Sequence, residues 1–175
     1  FSYKVLKGQN DFISDIHCIH HEETPIHNPY SIAIAIDSIE VLYRNKAVIC
    51  MIQKGSVVSC LPTKWVDDTL RAESRTFGQY GVVIDSIAPT IKTKSFSYDL
   101  SSANFMSFIV EDTHSGINTY KAFVDGNWIL LDYDAKNKKL THYFDGKIEP
   151  GQHELEIFVT DMVKNEKRLK LKFVR

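Results

Sequence analysis

The sequence predicts an all-β protein made of two small β-sandwich domains, the second immunoglobulin-like with about seven strands. Three observations lead there. Apolar and polar residues alternate with period two: Phe1, Tyr3 and Val5 against Ser2 and Lys4, and Leu169, Leu171 and Phe173 against Arg168, Lys170 and Lys172. No window carries a capped helical stripe. A proline-containing break, Ile84-Asp85-Ser86-Ile87-Ala88-Pro89-Thr90-Ile91, closes one set of strand-like runs and opens another.

The linker falls at about residues 86–90, which gives a β-rich first domain over 1–87 and an immunoglobulin-like second domain over 88–175. The chain begins on a strand-like Phe1 rather than Met, and is expected to be a fragment or a mature chain cut from a longer one. Val48 to Cys60 reads as a hairpin around Lys54-Gly55-Ser56. With a three-residue loop Cys50 faces Cys60, and a disulfide is open to it in an oxidising compartment; a two-residue loop puts Ser59 there instead. Buried free thiols are the commoner state of such cysteines. Trp65 to Ser74 fits a helical turn or a loop with a short strand, and Tyr80 to Ile84 is strand-like.

Beyond the linker, candidate strands lie near 91–96, 105–111, 118–125, 128–133, 140–145, 153–160 and 167–174. Most are separated by turn signals: Asp112-Thr113-His114-Ser115-Gly116, Asp125-Gly126-Asn127, Asp145-Gly146 and Pro150-Gly151. In the series Leu155, Ile157, Val159, Phe158 breaks the polar side.

With 43% apolar and 25% charged residues the chain can pack a core. A net charge of −1 argues against nucleic acid as a partner, and no apolar run approaches the length of a membrane span.

Three groups of side chains are candidates for binding. His17, Cys18, His20, His21, Glu22, Glu23 and His27 form the densest set of potential ligands. On a strand, Cys18 and His20 share a face and could meet one metal, with His27 returning from the loop and Glu22 as a base. The simpler account is structural loop histidines, and no resident cofactor is expected. Asp112, Asp125 and Asp161 sit at turns, where a carboxylate either bonds its own backbone or binds calcium. Trp128, Tyr133, Tyr143 and Phe144 could form an aromatic strip for stacking on sugar rings, Trp128 and Tyr143 foremost; alternatively Trp128 is a core anchor. Lys136, Lys138 and Lys139 lie in one loop, either a solvated turn or a contact for anionic wall polymers.

Asp85-Ser86-Ile87-Ala88-Pro89-Thr90-Ile91, Asp112-Thr113-His114-Ser115-Gly116-Ile117 and Val159-Thr160-Asp161-Met162-Val163-Lys164-Asn165 resemble bacterial immunoglobulin-like repeats. Such repeats often open with D-x-x-A-P-x-I, carry a D-x-x-S-G-I turn and close with V-T-D-x-x-x-N; Lys164 stands where they often have Gly. Ser14-Asp15-Ile16-His17, His20-His21, Thr24-Pro25-Ile26-His27, Tyr30 and Phe77-Gly78-Gln79-Tyr80-Gly81-Val82-Val83-Ile84-Asp85 resemble the C-terminal region of secreted Bacteroidetes lysostaphin-type zinc peptidoglycan endopeptidases. Those enzymes carry two β modules after the catalytic domain. The resemblance implies a periplasmic or extracellular setting, with peptidoglycan or an upstream catalytic domain of the same protein as partner. It implies no catalysis here, because that family's zinc site needs an H-x-G-x-D strand and a later H-x-H pair, and this chain has neither.

The expected function is therefore a non-catalytic accessory region of a secreted cell-wall metallopeptidase, serving as targeting module, spacer or regulator, with no catalytic residue of its own. The alternatives are an independent secreted adhesion or glycan-binding protein, and a metalloenzyme built on His17–His27.

Overall fold

Period-two alternation becomes a pair of antiparallel sheets in each half of the chain. In the computed structural model, which describes residues 1–8, 11–36 and 38–175, the chain divides into two compact units, Phe1–Ser86 and Ile87–Arg175.

The first unit contains β1 (Tyr3–Leu6), β2 (Ile16–Ile19), β3 (Tyr30–Ala35), a single helical turn α1 (Val41–Arg44), β4 (Ala47–Gln53), β5 (Ser56–Cys60), β6 (Thr63–Val66), β7 (Thr69–Ser74) and β8 (Gly78–Ile84). One sheet has the order β1-β2-β8-β4-β5 and the other β3-β7-β6. Ile32, Ile34, Leu70 and Ala72 from the small sheet meet Ala47, Ile49, Tyr80 and Val82 from the large one. Tyr80 is fully buried, and its hydroxyl bonds the Thr76 carbonyl at 2.7 Å and Ser74 Oγ at 2.8 Å, so the polar tip carries no desolvation penalty. Gly81 leaves room on the opposite face of β8: a Cβ there would sit 3.0 Å from Phe12 Cδ1.

Two ambiguities of the first half are resolved. Trp65 to Ser74 is a hairpin, not a helical turn: Leu70, Ala72 and Ser74 are buried with period two, and Asp67 turns the chain at φ 52°. The Val48–Cys60 hairpin turns on two residues, Lys54 and Gly55, at φ 51° and 78°, so Gln53 faces Ser56. A bulge then inserts Val58, and Cys50 falls opposite Cys60 after all. The two are bonded rather than free, and Cys18 remains a thiol.

The second unit contains β9 (Thr90–Ser95), β10 (Phe105–Glu111), β11 (Ile117–Val124), β12 (Asn127–Ile129), β13 (Asp132–Asp134), β14 (Lys139–Tyr143), β15 (Gln152–Asp161) and β16 (Glu166–Val174). Its sheets, β13-β14-β10-β9 and β12-β11-β15-β16, make an immunoglobulin-like sandwich. Phe108, Met106, Leu140, Leu155, Ile157 and Phe173 are wholly buried in its core. There are eight strands rather than seven, because the expected 128–133 strand changes sheets midway. Ile129, Leu131 and Tyr133 all turn towards the core while Trp128, Leu130 and Asp132 stay outside. The alternation runs unbroken through the corner and the hydrogen-bond partners change, from β11 to β14.

Reducing the Cys50–Cys60 bond should lower the stability of the first unit by about 2–3 kcal/mol, the loop-closure value for a short ring. Thermal unfolding with and without a thiol reductant checks this: the Phe1–Ser86 transition should fall and that of Ile87–Arg175 should not move.

Candidate functional site

The corner between β12 and β13 leaves an open cleft of about 740 Å³ in the second unit, within the range of small-ligand pockets. Asp125 and Gly126 build its rim as a tight turn with φ of 50° and 81°, which pairs Val124 with Asn127 and so turns Trp128 outward. Trp128, Leu130 and Tyr143 line the cleft while 62%, 61% and 59% exposed. Large apolar side chains left this open and side by side are unusual on a small domain.

Polar groups surround this shelf. His153 Nδ1–H donates to Asp125 Oδ2 at 2.6 Å and Nε2–H to the Glu149 carbonyl at 2.7 Å. Both ring nitrogens therefore face acceptors, which calls for the doubly protonated imidazolium. The Asp125 carboxylate, and after it the Glu149 carbonyl, hold the His153 pKa above its ordinary value. Asp125 in turn is held below the usual carboxylate range by the Glu154 amide at 2.8 Å and by His153. Asp145 is lowered by the Lys147 ammonium at 2.5 Å, then by the Lys147 amide. His142, 6% exposed, donates Nδ1–H to the Leu130 carbonyl at 2.9 Å. In the neutral ring its Nε2 is then an acceptor, and this buried atom has no hydrogen-bond partner among the described residues.

Of the four aromatics expected as a strip, two reach the cleft and two do not. Trp128 and Tyr143 come from opposite sheets and converge on it; Trp128 is not a core anchor. Phe144 turns inward beneath the Arg175 guanidinium, 4.0 Å from the ring, and Tyr133 packs on Tyr120. Asp125 lies a whole strand, about 25 Å along β11, from the turn of Asp112 and cannot share an ion with it. Asp112 and Asp161 do adjoin, with a carboxylate oxygen of each within 4.8 Å. Asp112 accepts the Gly116 amide at 2.7 Å and Asp161 the Asn165 amide at 2.7 Å, so each closes its own turn. Lys138 pairs with Glu111 at 3.2 Å, Lys139 enters β14, and Lys136 stays exposed.

The histidine cluster is not gathered into a centre. β2 ends at Ile19, and His20 turns to φ 51°, off the face of Cys18. Its ring stacks on Phe1 and meets Phe77 edge-on at 5.1 Å. His17 accepts from or donates to the Tyr3 hydroxyl at 2.6 Å, and the His27 carbonyl accepts from Arg75. Among the described residues, Cys18, His20 and His27 form no group within ligating reach.

Sequence reasoning missed Leu130, Asp132, His142, Lys147, Glu149 and His153. The outward positions 128, 130 and 132 of one alternating run were a readable signal for the first two; nothing local marks the others.

Residues 1–85 match the Zu5-like domain family. No curated protein matches the chain. Among solved structures it is similar to apo expansin from Clavibacter michiganensis, at 17% identity and a TM-score of 0.35, over 62% of this chain and 46% of that one. The chain thus spans less than half the length of that protein.

The raised His153 pKa is a stability statement with a definite sign. Its contribution is full below the unfolded value of about 6.5 and is lost as pH rises through the higher folded value. The Tm difference between the wild type and His153→Gln should be larger near about pH 6 than near about pH 8.5. An equal difference at both would mean that the imidazolium is not what binds Asp125.

Proposed function

We propose that this chain is a non-catalytic accessory region of a secreted cell-wall peptidase, and that the second unit's cleft holds it to wall glycan. The observation that carries this reading is the shelf of Trp128, Leu130 and Tyr143, exposed together within a rim of hydrogen-bonding side chains. A pyranose ring presents an apolar face to an aromatic ring and hydroxyls to its edges, and this shelf offers the same two chemistries. Weak binding suffices, since a tethered module raises the local concentration of an attached enzyme without any contact at its active site. The resemblance to the modules that follow lysostaphin-type catalytic domains supports the peptidase setting, with peptidoglycan as the first ligand to try. The disulfide fits an oxidising compartment outside the cytoplasm.

Co-sedimentation with peptidoglycan sacculi, with muropeptide release followed in the same tube, tests this. The wild type should pellet without releasing muropeptides. Trp128→Ala/Tyr143→Ala should lose about tenfold or more in affinity while keeping its Tm, since both side chains are mostly exposed. Muropeptide release would overturn the non-catalytic reading, and undiminished pelleting of the double variant would move the contact away from the cleft.

A further inference from the structure

Charge in the cleft does not balance. Four carboxylates line it, those of Asp125, Asp132, Asp145 and Glu149, against one lysine and the His153 imidazolium. The two cations are already engaged: His153 with Asp125 at 2.6 Å and Lys147 with Asp145 at 2.5 Å. Asp132 and Glu149 are exposed, and neither carboxylate makes an ion pair among the described residues. They share the cleft with the Trp128 indole, the aromatic face that attracts a cation most strongly. The buried Nε2 of His142, without a hydrogen-bond partner among the described residues, belongs to the same cleft.

We propose that the cleft selects saccharides bearing a protonated primary amine over neutral ones, and disfavours anionic ones. The inference rests on the glycan reading of the cleft and names the ligand class within it. The sugar's apolar face lies on the aromatic shelf, and its ammonium sits near the indole and the two free carboxylates. A uronic acid brings a third carboxylate beside Asp132 and Glu149, where like charges repel.

The test uses three defined oligosaccharides of equal length, read by tryptophan fluorescence at low salt: a glucosamine hexamer, an N-acetylglucosamine hexamer and a galacturonic acid hexamer. The titrations run at about pH 5.5, where the sugar amine is protonated. The glucosamine hexamer should bind about three- to tenfold more tightly than its acetylated counterpart, the range expected of one or two exposed ion pairs, and the galacturonate most weakly. Added salt to about 0.5 M should erase the preference. Asp132→Asn/Glu149→Gln should erase the preference as well, bringing the amine and acetyl hexamers to equal affinity on the same variant, whatever that common affinity is; both residues are exposed, so the variant should fold. Equal affinity for the amine and acetyl forms, a preference that survives the double variant, or no binding of any hexamer each overturns the proposal. Pelleting on sacculi is a separate readout, and decides on its own whether the glycan reading stands.

Discussion

Register is the constraint on which both units depend. Side chains alternate across a strand, so a slip of one residue turns the core face to water. Tight turns held in the left-handed region of φ set that register here. Asp67, Lys138 and Lys164 adopt it at 52°, 52° and 64°, as do the pairs Lys54-Gly55 and Asp125-Gly126. For a residue with a Cβ this conformation costs roughly 1 kcal/mol, offset by the ladder that the turn aligns. Lys164 shows the trade plainly. It stands where the resembling repeats often carry Gly, yet keeps the backbone geometry, because Asp161 anchors the turn through the Val163 and Asn165 amides.

The same constraint explains what could be read in the sequence. Strands with one wet face, such as Leu169, Leu171 and Phe173 on β16, announce themselves by period two. The Asp125-Gly126 turn announces itself by its residue pair. The hairpin of Cys50 and Cys60 shows the limit: its turn has two residues, not three, and only the bulge at Val58 restores the pairing. Bulges leave little local trace, since they depend on how the strand packs and not on propensity. The corner between β12 and β13 fails for a subtler reason. Alternation reports which way a side chain points, inward or outward, and is blind to the strand that receives the hydrogen bonds.

That corner also makes the site. Had residues 128–133 stayed in one sheet, Trp128 would lie on a flat sheet face far from Tyr143. Crossing between sheets brings the outer faces of both to one cleft. Trp128 and Tyr143 could be named from their places in the candidate strands, though not told apart there from Tyr133 and Phe144, whereas their polar surround could not be named. Asp125 comes from the β11–β12 turn, Asp132 from the start of β13, Asp145 and Glu149 from the β14–β15 connection and His153 from the start of β15, and only the topology assembles them.

The Cys50–Cys60 bond has a further consequence, which follows from where it lies. β5 is the outermost strand of the five-stranded sheet, and the disulfide ties it to β4. Edge strands are the first to fray, and a frayed edge exposes unpaired amides and carbonyls to which another chain can add. Here the edge cannot peel away without taking its neighbour with it. The bond thus acts as a selvedge on the sheet: when the unit partly opens, β5 stays on β4, and of the two margins of this sheet only the one along β1 is free to fray.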